Sequence, residues 1–139
     1  MRRKELLNFA TATVVLLAGL HFLASRYDLY FHLWWFDILM HFLGGLFISL
    51  YSLWFFFFSG RITINFPNNK KIFLLSLLAV FPAIVFWEIF EYVTDTAYPF
   101  EGYVLDTAAD IALGLTGALA GVLYFIKKEK KFLWTKEAN

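Results

Sequence analysis

Apolar residues fall along the chain in four continuous blocks, not in the spaced stripe of a helix that is half in water. The blocks cover residues 6–25, 37–60, 72–92 and 106–126. Each is close to the roughly 20 apolar residues that cross a bilayer as a helix. Hydrocarbon offers no partner to a backbone N–H or C=O, so segments this apolar must close their hydrogen bonds internally. The pattern predicts an all-α, polytopic membrane protein with four transmembrane helices in an up-and-down bundle. The whole of 1–139 reads as one membrane domain with a basic tail at 127–139, and the connections 26–36, 61–71 and 93–105 are too short for a second domain. The first block is as long as a full span and reads as a retained helix, not a cleaved signal peptide. Pro82 should kink the third span, because it removes one backbone hydrogen bond.

Aromatic and small residues refine these elements. Tyr27, Tyr30, Phe31, Trp34, Trp35 and Phe36 crowd the first connection and read as an interfacial belt or a short helix in the interface. Trp54 to Phe58 read as the opposite edge of the second span. Gly114, Gly117 and Gly121 lie on one side of the fourth span, and Gly44, Gly45 and Ser49 on the second. Small residues let helix backbones approach closely in lipid, so all of them are expected in packed interfaces within the bundle. Asp110, four residues before Gly114, should point toward the helix that this face packs against.

Composition agrees with the blocks. The chain is 60% hydrophobic and 17% charged, with a mean hydropathy of +0.64, against about 25% charged residues in soluble domains. A net charge of +1 gives no basic field for nucleic acid, and the absence of cysteine excludes disulfides, a thiol nucleophile and Cys-ligated zinc. The charges are segregated. Eleven of the twelve basic residues precede the first span, lie in the second connection or follow the last span, leaving Arg26 alone on the other side. The positive-inside rule then predicts both termini in the cytoplasm. Eight of the eleven acidic residues fall in the outer half or outside.

Three acid-bearing pairs stand near the outer ends of three spans: Asp37 and His41, Glu88 and Glu91, Asp106 and Asp110. Spacings of i,i+3 and i,i+4 put each pair on one helix face. If the fourth span excluded Asp110, its 16 remaining residues would reach roughly 24 Å, short of a hydrocarbon core near 30 Å. At least the deeper member of each pair is therefore expected at or below the hydrocarbon boundary. Carboxylates there are costly unless they are paired, protonated or bound to a cation. No lysine or arginine lies within these helix segments. Asp37 and Asp106 could serve as helix caps, whereas Glu88 and Glu91 stand near a helix C-terminus, where negative charge is disfavoured.

The strings Phe36-Asp-Ile-Leu-Met-His-Phe-Leu-Gly-Gly, Trp87-Glu-Ile-Phe-Glu-Tyr and Leu105-Asp-Thr-Ala-Ala-Asp-Ile-Ala-Leu-Gly-Leu-Thr-Gly-Ala carry a resemblance. In order and content they resemble the YjdF-like family of uncharacterised bacterial inner-membrane proteins. More distantly they are similar to VanZ-like proteins, which are linked to glycopeptide-antibiotic resistance. The resemblance covers residues 36–121, three of the four spans. It implies that Asp37, His41, Glu88, Glu91, Asp106 and Asp110 are a shared polar signature, and that the protein lies in a prokaryotic plasma membrane. Where such relatives often carry Gly-Asp before the fourth span, this chain has Gly102-Tyr103. The family brings no established activity.

Three functions suit these residues. A divalent metal held by Asp37, His41, Glu88, Asp106 and Asp110, with Glu91 as ligand or general base, would support hydrolysis or transfer on a lipid or cell-envelope substrate. One histidine is few for such a site, and no HExxH string is present. The same cluster could bind a cation, a proton or a polar headgroup without chemistry, although only Ser49, Ser52, Ser76 and Thr116 continue a polar path inward. A structural or accessory role would make the cluster a protonated network locking the bundle.

Overall fold

Each apolar block folds into one helix. The computed structural model describes residues 3–61, 68–94 and 103–137, with backbone alone for Tyr103 and residues 129–137. Arg2, Asp95, Glu101 and Gly102, with parts of the second and third connections, lie outside the described residues. The helices are α1 (Arg3–Tyr27), α2 (Leu29–His32), α3 (Phe36–Phe58), α4 (Asn69–Thr94) and α5 (Tyr103–Glu137). All except α2 are long and apolar enough to cross a membrane.

Local chemistry accounts for the boundaries. Asp28 takes a left-handed conformation, φ 53°, that an aspartate tolerates, and this turns the chain from α1 into α2. The first connection thus contains the short helix expected of it, but its aromatics divide. Tyr27, Phe31, Trp34 and Trp35 are exposed, while Phe36 is buried and packs edge-on against the half-buried Tyr30, ring centroids 5.1 Å apart. α4 continues through Pro82 as one helix. α5 does not stop at residue 126 but runs on to Glu137. Residues 127–137 contain neither Gly nor Pro and are rich in Lys and Glu, so nothing ends the helix where the apolar block ends.

The bundle is organised around α3, which packs on α1, α4 and α5. Its largest interface is with α5, because the glycines there remove every atom between the two backbones. A Cβ on Gly45 would overlap the Gly114 carbonyl, and one on Gly117 would overlap that of Phe42. α3 and α5 run parallel with a fixed offset of 69 residues: His41 faces Asp110, Gly45 faces Gly114, and Ser49 donates to the Ala118 carbonyl at 3.0 Å. α4 runs antiparallel to both and adds Glu88, Ile84 and Val80 to the same three layers. Ser49 and Ser76 hydrogen-bond at 2.9 Å, and Ser52 donates to the Ser49 carbonyl. Toward the other end, Leu6, Ala10, Leu50, Leu53, Ile72, Val122 and Phe125 form a core shared by all four long helices.

Candidate metal centre

The glycine layer sets the position of the polar one. Because α3 and α5 touch at Gly45 and Gly114, the residues one turn away, His41 and Asp110, are brought face to face. Ile84 seats its side chain on Gly114, so Glu88, one turn further along α4, arrives at the same depth. His41, Glu88 and Asp110 are all buried. The imidazole is the centre of the group. Its Nε2 lies 3.5 Å from Asp37 Oδ1 and 3.7 Å from Asp110 Oδ1, and its Nδ1 lies 3.8 Å from Glu88 Oε1.

These are ion-pair distances, longer than the roughly 2.7–3.2 Å that a hydrogen bond prefers. Two ligands each about 2.1 Å from a zinc-sized ion, at a tetrahedral angle, stand about 3.4 Å apart. Asp37, His41 and Asp110 can each offer an atom to one ion, as can His41, Glu88 and Glu91, every ligand atom lying within 4.8 Å of the others in its set. Among the described residues Glu88 Oε1 is buried without a hydrogen-bond partner, an arrangement that costs a native protein free energy unless something satisfies it.

Five of the six residues singled out from the sequence come together. Asp106 stands apart: it is exposed in the first turn of α5, one turn outward of Asp110, and belongs to neither three-residue set. Asp37 is not a cap, since the N-cap of α3 is Trp35 and Asp37 lies within the first turn. Asp110 faces α3, as its spacing from Gly114 implies. The inner serines do not extend a polar path, because Ser49, Ser52 and Ser76 are bonded within the bundle, and Thr116 is exposed and donates to the Ala112 carbonyl of its own helix.

A cavity of about 430 Å³ opens beside the cluster, with Asp37, His41 and Glu91 in its wall. Tyr30 and His21 join them and hydrogen-bond to each other at 3.0 Å. The pKa of the Tyr30 hydroxyl is pushed up to about 12, first by burial and then by the negative charges of Asp37 and Glu91. His21 is recognisable in sequence as a histidine near the outer end of the first span, whereas Tyr30 reads only as part of the aromatic belt. Their nine-residue separation spans a turn whose course no periodicity predicts.

The fold and the cluster define a multi-pass helical membrane protein with a buried His–carboxylate group near one end of its spans. The chain belongs to the family described as predicted membrane protein DUF2238, whose model matches residues 1–131. No curated protein and no solved structure matches it.

Proposed function

We propose that the protein binds one divalent transition-metal ion through His41 Nε2, Asp37 and Asp110, and that the site faces the extracytoplasmic side of a prokaryotic plasma membrane. One imidazole with several carboxylates suits the borderline first-row ions, zinc, manganese and iron among them. The observation that carries the reading is that Asp37 Oδ1 and Asp110 Oδ1 stand 3.5 and 3.7 Å from one nitrogen of a single buried imidazole. Glu88 then has a defined part. Metal-bound histidines usually donate their other ring N–H to a carboxylate, which fixes the ring, and Glu88 Oε1 faces His41 Nδ1. Glu91, half-buried and in the cavity wall, is placed to take a proton from a molecule in the cavity. A bound ion would supply Lewis-acid polarisation of a substrate oxygen. The substrate class is a lipid or cell-envelope molecule, and kinship with YjdF-like and VanZ-like proteins forms part of the same proposal.

Elemental analysis of the purified protein, expressed with metals in excess, tests the reading. We expect about one divalent ion per chain, lost in His41→Ala and Asp110→Asn and kept in Asp106→Asn. A wild-type protein without metal overturns it. Metal content also separates this reading from a hydrogen-bonded network, in which the wild-type protein would hold no ion.

A further inference from the structure

The two adjacent glycines of α3 have different reasons to be there. Gly45 is required by the Gly114 carbonyl, but a Cβ on Gly44 would meet nothing closer than Leu17 Cδ1 at 4.0 Å. Helix packing does not explain Gly44, contrary to the expectation for every small residue. Its bare face lines the 430 Å³ cavity, where Ala18 of α1 and Ala83 of α4 stand in the other walls. α1 and α4 each pack on α3, residues of both stand in the cavity's walls, and α3 is its floor.

We propose that this gap is a slot for one hydrocarbon chain of a membrane lipid, entered sideways from the bilayer, which places the lipid's polar end at Asp37, His41 and Glu91. Length and the order of polarity match. Along α3 the lining runs from Asp37 to Ile48, eleven steps of about 1.5 Å or roughly 16 Å, which is one leaflet of a hydrocarbon core near 30 Å thick. The cavity volume is about 430 Å³. Polarity follows depth as it does in a lipid: Val14, Leu17, Phe47 and Ile48 lie deep, while Tyr30, Asp37 and Glu91 lie at the interfacial end. The slot deepens the metal reading by naming its substrate class, and rests on that reading only for what happens at the polar end.

The test uses the full chain in vesicles of phosphatidylethanolamine and phosphatidylglycerol doped with a phospholipid carrying a diazirine midway along one acyl chain. Photolysis should label Val14, Leu17, Ala18, Phe47 and Ile48 inside the slot, as well as the outer lipid face at Leu78 and Phe86. In Gly44→Phe the slot labelling should disappear while the outer labelling persists. Ala18→Phe, which closes the slot from the opposite wall, should do the same and serves if Gly44→Phe does not fold. Undiminished slot labelling in a folded variant overturns the slot. Metal content is read on the same samples, so a metal-free wild type with intact slot labelling counts against the metal centre alone.

Discussion

Glu88 is the residue whose substitution best separates a site from a scaffold. Its Oε1 is buried and, among the described residues, unbonded, and Asp37, Glu91 and Asp110 share its surroundings without a lysine or arginine in the same helix segments. An uncompensated buried polar or charged group costs about 1–3 kcal/mol or more. In the presence of a chelator, Glu88→Gln should therefore raise stability by about 1–3 kcal/mol, read as a higher melting temperature. With metal present the same substitution should weaken affinity about 10–100-fold by loosening His41, without abolishing binding. Asp110→Asn should abolish it. A Glu88→Gln protein that is less stable than the parent in chelator would identify the cluster as structural.

At the scale of helices, the crossing of α3 and α5 decides whether the site exists at all. The glycines there differ in what opposes them, and this sets an order of damage. At Gly45 and Gly117 an added methyl meets backbone carbonyls that cannot move without displacing the partner helix. At Gly114 it meets the end of the Ile84 side chain at 2.6 Å, which can rotate away. Overpacking costs about 1–3 kcal/mol and occasionally more. Gly45→Ala and Gly117→Ala should reach or exceed the top of that range in thermal unfolding, and Gly114→Ala should stay near its bottom. Removal of the serine clasp in Ser49→Ala should cost about 0.6 kcal/mol, the average for such bonds between membrane helices. This interface also marks how far the sequence is legible. Hydropathy locates all four long helices, and i,i+4 spacing correctly turns Asp110 toward α3. Neither can give the 69-residue offset that aligns His41 with Asp110, nor separate Gly44 from Gly45, because those facts depend on which faces of two distant segments meet. Asp106 and Asp110 look equivalent as a pair. Only the crossing leaves one buried and the other exposed. The end of α5 was obscured for a different reason: loss of hydrophobicity after residue 126 ends a span but does not end a helix.

For the whole molecule, the asymmetry of charge and the position of the cluster make one joint prediction. The cluster lies in the half of the bundle next to α2 and the first connection, while Arg3, Arg61, Lys70 and Lys71 lie at the other end with the Leu6–Phe125 core. If basic residues stay in the cytoplasm, the cluster opens outward and the proposed ion would enter from outside the cell. The chain contains no cysteine, so single cysteines can map this without a background. Trp34 is 82% exposed in the first connection, and Arg61 is exposed just beyond α3. In intact cells a membrane-impermeant maleimide should label Trp34→Cys and not Arg61→Cys, with Arg61→Cys becoming reactive only after permeabilisation. The reverse pattern would put the carboxylates on the cytoplasmic side, and the site would then draw on cytoplasmic metal. Orientation and metal supply are therefore one question: the face that Trp34→Cys reports is the face from which the proposed ion would reach His41, Asp37 and Asp110. Addition of an impermeant chelator to intact cells should strip the site only if Trp34→Cys is labelled from outside.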